Sequence, residues 1–432
     1  MWVQRLEKAD RKDEDVKALS ALVFDNGSPI TVGGLTLTER AALLAYRAGL
    51  GPVRVWGVRA LDPASERRLR SRGVSVVQPS QESTPLAGAG DDEGVVVIGP
   101  NVLVGPSVLA DLADRTGHDT DGAAVAVYEA GVPLILCVGP GAAADLRPFT
   151  SVETMVASLA ARGATFELPL GGEFCRRVHS ADVAPLAERD YIRHLNGKES
   201  FFTRQIRRFS VPLTSRLVRL GARPTHVTLG GLVLAVASAW CIARSSYLAG
   251  LLGAALYYTS MIFDCSDGEV ARLTVRDGSF GAWLETIVDY LTYFLVLAAL
   301  VVASQTRPGA EGYRVAAAVA LVGSVVIALV AGYLRHRVAA ADPGQFDEAS
   351  AKAMASATHF HRFARWGRQW IKRSTVAHLI VFLALVNQLP MLLYLWAFGA
   401  TVAAVVILSV EPFVVRRVAV APAGVRHVST RG

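Results

Sequence analysis

The sequence predicts two architectures in series: an α/β region with a mainly parallel sheet, then an all-α membrane region of about six transmembrane helices. Three observations predict it. Apolar runs alternate with helical stretches up to about Pro185, apolar stretches of near-spanning length follow Pro224, and 52% of the 432 residues are hydrophobic against 19% charged. That balance, with a positive mean hydropathy, is too apolar for an ordinary soluble protein.

The opening segment, MWVQRLEKADRKDEDVKAL, is polar and lacks an apolar core before a small-residue cleavage site, so it reads as cytosolic rather than as a signal peptide. Ala21–Phe24, Val53–Val58, Gly94–Gly99, Ala123–Tyr128 and Pro133–Gly139 read as buried strands. Between them, Leu37–Gly49 carries apolar residues at helical spacing with Thr38 as N-cap and Gly49 as stop, and Pro106–Gly117 follows the same pattern. Strands alternating with helices imply a mainly parallel sheet. Pro79–Gly94, rich in Ser, Gly and Pro, reads as a surface loop. The cysteines, Cys137, Cys175, Cys241 and Cys265, form no CxxC pair and suggest neither a zinc site nor a disulfide framework.

Tyr191–Arg223 mixes aromatic and aliphatic residues with a run of arginines and reads as an interfacial amphipathic helix; a solvated basic linker is the alternative. Spans are then placed at His226–Ala243, Tyr247–Phe263, Ala282–Ser304, Val315–Leu334, Thr375–Asn387 with its flanks, and Leu392–Val410. Basic residues concentrate before the first span, at Arg272 and Arg276, in the long connection after Arg335 and in the tail, which places both termini in the cytosol. The resulting division is 1–190, 191–223, 224–417 and a tail, 418–432. The net charge of +7 suits anionic lipid or a phosphorylated substrate at those positions, and nucleic acid is not expected as a partner.

Within the apolar half, FDCSDGEVARLTVRDGSFGAWLETIVD (Phe263–Asp289) gathers carboxylates. Asp264 and Asp267 share one helical face, and Glu285 and Asp289 share a face of a second helix after a turn at Asp277–Gly278. Carboxylates at membrane depth line a cavity, pair, or bind metal. Hard oxygen donors suit Mg²⁺ or Mn²⁺ rather than zinc. A metal pair would support in-line displacement at phosphorus, with one carboxylate accepting the proton of the attacking hydroxyl. Gly268, Ala271 and Gly281 leave room for close approach to the backbone. Two other readings stay open on spacing alone: solvated acidic helix ends with small packing residues, in a non-catalytic scaffold, and an ion or proton relay in a transporter. Glu269 and Asp277 fall outside the set, as solvated or pairing residues.

These residues resemble the CDP-alcohol phosphotransferases, whose signature reads DxxDGxxARx8GxxxDxxxD. Asp264, Asp267, Gly268, Ala271, Arg272, Gly281, Glu285 and Asp289 stand at its spacings, with Glu285 in place of an Asp. Arg223–Thr228, RPTHVT, is similar to the family's lead-in to its first span, with Thr225 where Asn is usual. The resemblance covers roughly Tyr191 to Arg417. It implies a homodimeric membrane enzyme with a two-metal Mg²⁺ or Mn²⁺ site held by Asp264, Asp267, Glu285 and Asp289. Asp289 would be the general base, and Gly268, Ala271, Arg272 and Gly281 would lie along the CDP moiety. An acceptor hydroxyl or polyol phosphate attacks a CDP-alcohol of the CDP-diacylglycerol or CDP-inositol type, and CMP leaves.

The wording of the signature is closest to members that handle inositol phosphates, some fused to a cytidylyltransferase. Val32–Leu50 and Gly94–Leu112 resemble the first helix region and central strand of such a nucleotidyltransferase. Phe24–Thr31 stands where a Gly-rich loop with a basic residue is expected, and Pro100–Asn101 where a metal Asp is expected, so a degenerate binding, regulatory or assembly domain is implied. His359 and His361, at i,i+2, fall on different helical faces and suit a headgroup-facing loop better than a metal site. Arg335, Arg337, Arg362 and Arg365 are candidates for an acceptor phosphate. Dinucleotide and serine-hydrolase motifs are not evident.

Overall fold

The computed structural model describes residues 19–57, 61–72, 74–77, 85–86, 94–116, 124–139, 142–146, 149–163, 165–168, 172–197, 200–276, 278–339, 373–402 and 404. Its first half contains β1 (Leu19–Asp25), β2 (Thr31–Val32), β3 (Leu35–Thr36), α1 (Leu37–Arg47), β4 (Val53–Gly57), α2 (Pro63–Arg70), β5 (Ser75–Val77), β6 (Gly94–Ile98) and β7 (Val102–Val104). Then follow α3 (Pro106–Thr116), β8 (Ala124–Glu129), β9 (Val132–Val138), α4 (Ala142–Asp145), α5 (Val152–Ala161), β10 (Thr165–Glu167) and β11 (Cys175–Arg177).

Seven strands form one sheet in the order β10-β8-β9-β6-β1-β4-β5. The sheet is mixed, because β9 runs antiparallel to both β6 and β8 while the other neighbours are parallel. Strand alternation divides the core. Ala21, Val23, Val96 and Ile98 face Leu44 of α1 and Leu109 of α3, whereas Leu22, Phe24, Val95 and Val97 face Met155 and Leu159 of α5. Both faces are therefore covered, and each fully buried aliphatic side chain contributes about 1.5–3 kcal/mol.

Helix α1 starts where expected but with a different cap. The Thr36 hydroxyl accepts the Glu39 N–H at 3.2 Å, whereas the expected cap, Thr38, turns inward and donates to Asp25 at 2.8 Å.

The second half is helical: α6 (Ala184–Asn196), α7 (Phe201–Arg219), α8 (Pro224–Ala243), α9 (Tyr247–Leu273), α10 (Ser279–Ser304), α11 (Ala310–Ala339), α12 (Arg373–Leu385) and α13 (Met391–Val402). Among the described residues, four helices, α8 to α11, are long and apolar enough to cross a membrane, against the six expected; α12 and α13 are apolar but shorter. All the same, Ile380 of α12 and Leu393 of α13 share a core with Ala239, Tyr257, Leu300 and Ala320 of those four helices. Leu248 and Phe398 face outward and suit hydrocarbon. The helix of the span expected to stop at Phe263 runs on to Leu273, 27 residues in all, so the first half of the acidic stretch is a direct extension of the span. Helices α8 and α9 approach closely at Gly253, whose carbonyl accepts from Ser238 at 2.7 Å; a Cβ there would lie 2.7 Å from Ile242.

The end of α9 enters the α/β region. Val275, at φ +53°, is buried in the same core as Ala41 and Leu44, and Val270 and Leu273 pack with Val32, Leu37 and Tyr191. Arg40, fully buried, donates to the Val32 carbonyl at 2.6 Å and to the Leu273 carbonyl, and lies 5.4 Å from the Tyr191 ring. Burial pulls the pKa of this guanidinium below its ordinary value. Gly33, at φ +62°, sits so close that a Cβ would lie 2.6 Å from both Leu273 Cγ and its carbonyl oxygen. Its N–H donates to Glu188 at 2.9 Å.

Candidate functional site

Helices α9 and α10 bring the expected carboxylates together. Arg373, the first residue of α12, donates to Asp264 of α9 at 2.8 Å and to Asp289 of α10. Its guanidinium also lies 5.5 Å from the Tyr293 ring, one turn beyond Asp289. The three charged side chains keep only 18–28% of their surface exposed, so their mutual attraction is weakly screened.

Asp267 is buried; it accepts from the Thr228 hydroxyl of α8 at 2.7 Å and from the Gly268 N–H at 2.6 Å. Glu285 is exposed on α10, and the charges of Asp264, Glu285 and Asp289 act on one another across the two helices. Gly281 opens onto free space, with nothing within 4 Å of a built Cβ. At Gly268 a Cβ would lie 3.3 Å from the Arg272 guanidinium, so glycine there lets that side chain lie across the helix. Arg272 donates to Asn196 Oδ1 at 2.9 Å, which ties it to the end of α6. Ala271 is half-buried beside it.

Glu269 is a pairing residue and not a solvated one. Its carboxylate is fully buried and accepts from Arg207 at 2.5 Å, Ser210 at 2.9 Å and Thr214 at 2.5 Å, all on α7, and from Asn196 at 3.1 Å. Helix α7, with Pro212 inside it, thereby grips the signature helix by a polar stripe. Sequence reasoning missed Arg373, Asn196 and the role of Thr228. An arginine heading an apolar helix is itself a signal, since a cation at membrane depth seeks carboxylates. Asp277, Lys198, His359, His361, Arg362 and Arg365 lie outside the described residues, as do the side chains of Arg335 and Arg337 and the end of the sixth expected span.

Among the described residues, no three His, Cys, Asp or Glu side chains converge on one point as a preformed cation cage. The donor set nonetheless fits a divalent cation in its chemistry. Every candidate ligand is a carboxylate, and Asp264 and Asp289 hold a cationic group between them in the form of Arg373.

The family model for CDP-alcohol phosphatidyltransferase matches residues 222–407. A curated relative, the archaetidylinositol phosphate synthase of Methanothermobacter thermautotrophicus, is 36% identical over 95 residues, 21% of this chain and 44% of that protein. The chain thus spans less than half the length of that relative. Among solved structures, the Mycobacterium tuberculosis phosphatidylinositol phosphate synthase with CDP-DAG bound covers 47% of this chain and 94% of its own, at 22% identity and a TM-score of 0.35.

Proposed function

We propose, from the match of residues 222–407 to the family model for CDP-alcohol phosphatidyltransferase, that the chain is a membrane CDP-alcohol phosphotransferase of phospholipid biosynthesis. It transfers a substituted phosphate from a CDP-alcohol to an acceptor hydroxyl and releases CMP. The observation that carries this reading is the meeting of Asp264 and Asp289, from two helices, around one cation.

In this reading Asp264, Asp267, Glu285 and Asp289 hold Mg²⁺ or Mn²⁺. The bound cations supply charge neutralisation of the donor's phosphate oxygens. Asp289 accepts the proton of the acceptor hydroxyl as oxygen attacks the β-phosphate and the bond to CMP breaks. Arg272, held by Asn196, lies along the CDP moiety with Gly268 and Ala271, and the open surface at Gly281 admits the nucleotide. The donor is of the CDP-diacylglycerol or CDP-inositol type. A polyol phosphate as acceptor is supported by the name of the curated relative, an inositol phosphate lipid synthase. The working unit is a homodimer in the cell membrane, with six spans and with termini and site on the cytosolic side, as the distribution of basic residues supports.

The α/β region, residues 1–190, is a nucleotidyltransferase-like domain without that chemistry. Supporting this, the carboxylate of Asp25, the last residue of β1, engages the start of the following loop, accepting from Gly27 N at 3.2 Å and from Thr38 at 2.8 Å. An anionic group there repels the phosphates that such a loop would cradle. The test is release of labelled CMP by the purified full-length protein given CDP-diacylglycerol or CDP-inositol, an acceptor and Mg²⁺. Asp289→Asn should abolish release; equal release by that variant would overturn the mechanism. Turnover of CTP and a polyol phosphate to pyrophosphate would overturn the reading of residues 1–190.

A further inference from the structure

Helix α7 has two faces with different work. One holds Glu269 through Arg207, Ser210 and Thr214. On the other, Phe201, Arg204, Arg208, Pro212, Arg216 and Arg219 follow one another at intervals of three or four residues and are all exposed, so they form a single ridge along the helix. Phe209 and Leu220 flank that ridge, 56% and 83% exposed. The helix contains no acidic residue, and among the described residues none of the four ridge arginines is paired, whereas Arg207 on the inner face is. Both ends of α7 are tied to the starts of apolar helices. Residues 220–223 alone separate it from Pro224, where α8 begins, and near its other end the Thr203 and Ser374 hydroxyls meet at 3.0 Å, at the head of α12. The helix, about 28 Å long, thus runs across the ends of the spans, where hydrocarbon gives way to water. Large apolar side chains gain nothing there from water alone, but the acyl boundary seats them while arginines beside them reach the phosphates.

We propose that the outer ridge of α7 docks on the anionic phospholipid headgroups of the leaflet, with Phe201, Phe209 and Leu220 entering the acyl boundary. Charge complementarity names the occupant. Arg204, Arg208, Arg216 and Arg219 form a row of cations with no acidic neighbour on the helix, and a basic side chain at the bilayer surface favours a net-negative lipid several-fold over a zwitterionic one. The inner face of the same helix holds Glu269, so the docked helix sets the carboxylate-bearing helix α9 about 10 Å, one helix diameter, from the lipid phosphates. Leaflet charge is thereby read by an element that grips α9 directly. The docking is independent of which reaction the carboxylates carry out.

Fluorescence quenching in the full-length protein tests this, with Phe209→Trp, at an exposed position, as the reporter and the parent's own loss of signal subtracted. The protein is placed in zwitterionic bilayers that contain a small fraction of brominated phosphatidylglycerol or, separately, the same fraction of brominated phosphatidylcholine. Quenching of the reporter should be at least about twofold stronger with the anionic lipid, and high salt should remove the excess. Adding Arg204→Gln, Arg208→Gln, Arg216→Gln and Arg219→Gln should make the two lipids equal. Arg204→Gln with Arg208→Gln alone should remove part of the excess, and Arg193→Gln, at an exposed arginine of α6, should leave it unchanged. Equal quenching by the two lipids before any arginine is replaced overturns the proposal. Quenching by neither, the outcome if a second copy, nucleic acid or bulk water meets the ridge, overturns it too, as does an anionic excess that the arginine substitutions leave intact.

Discussion

Arg373 stands 109 positions beyond Asp264 in the chain, yet its guanidinium donates to that carboxylate at 2.8 Å. The same guanidinium reaches Asp289, so one side chain links three helices. Arg373→Met leaves two carboxylates facing each other with little water to screen them. In EDTA the variant should lose about 2–4 kcal/mol of stability, somewhat less than a fully buried pair would cost. Mg²⁺ should restore much of the loss, because a divalent ion supplies the missing charge. Thermal unfolding in EDTA and in Mg²⁺ reads this, and an unchanged midpoint in EDTA would refute it.

Glu269 carries no chemistry in the proposed reaction but collects four hydrogen bonds in a fully buried position. Glu269→Ala takes the carboxylate from Arg207 and should cost about 3–5 kcal/mol. Glu269→Gln keeps the shape, loses the charge and should fall between the two. Denaturation of the three proteins in the same detergent gives the order directly.

Glu285 departs from the family pattern by one methylene. Because it is exposed on α10, the longer arm can still bring its oxygens to a cation. Glu285→Asp should stay within about tenfold of the parent rate, and Glu285→Gln should lose about a hundredfold, the size of a lost charged contact to a developing transition state. Initial rates of CMP release in Mg²⁺ and Mn²⁺ separate the two. Equal rates for the Gln variant and the parent would remove Glu285 from the site.

Gly33 tolerates no side chain, since a Cβ would lie 2.6 Å from backbone and side-chain atoms of Leu273 at φ +62°. Gly33→Ala should cost about 2–4 kcal/mol through strain and overpacking. The damage should localise to the junction. Limited proteolysis is expected to cut between the two halves faster in the variant, while far-UV circular dichroism stays near that of the parent.

Much of the fold was legible because burial writes itself into composition. Five strands appear as apolar runs, and α1 and α3 as helically spaced ones, within a residue or two of their observed bounds. The reversal of β9 was not legible. A strand buried on both faces reads the same in either direction, and its hairpin turns on Ala130 and Gly131, both at positive φ, where alanine gives no turn signal. Thr36 and Thr38 differ only in which hydroxyl meets Asp25, a tertiary choice. Likewise the spacing of the carboxylates picked out side chains that meet, and the arginine at the head of α12 was a signal left unread, but nothing local to Asn196 or Glu269 announces their pairing.

Val275, buried among the side chains of the sheet and α1, has a consequence for how the protein is made. A receptor built from residues far upstream leaves the ribosome first and folds first. The hinge between the two carboxylate helices therefore docks onto a finished surface as it emerges, rather than finding its shape alone at the bilayer. The same docking holds the sheet and that hinge on one side of the membrane. A gene truncated at its 5′ end would still encode every signature residue, but the turn joining the two signature helices would have no template.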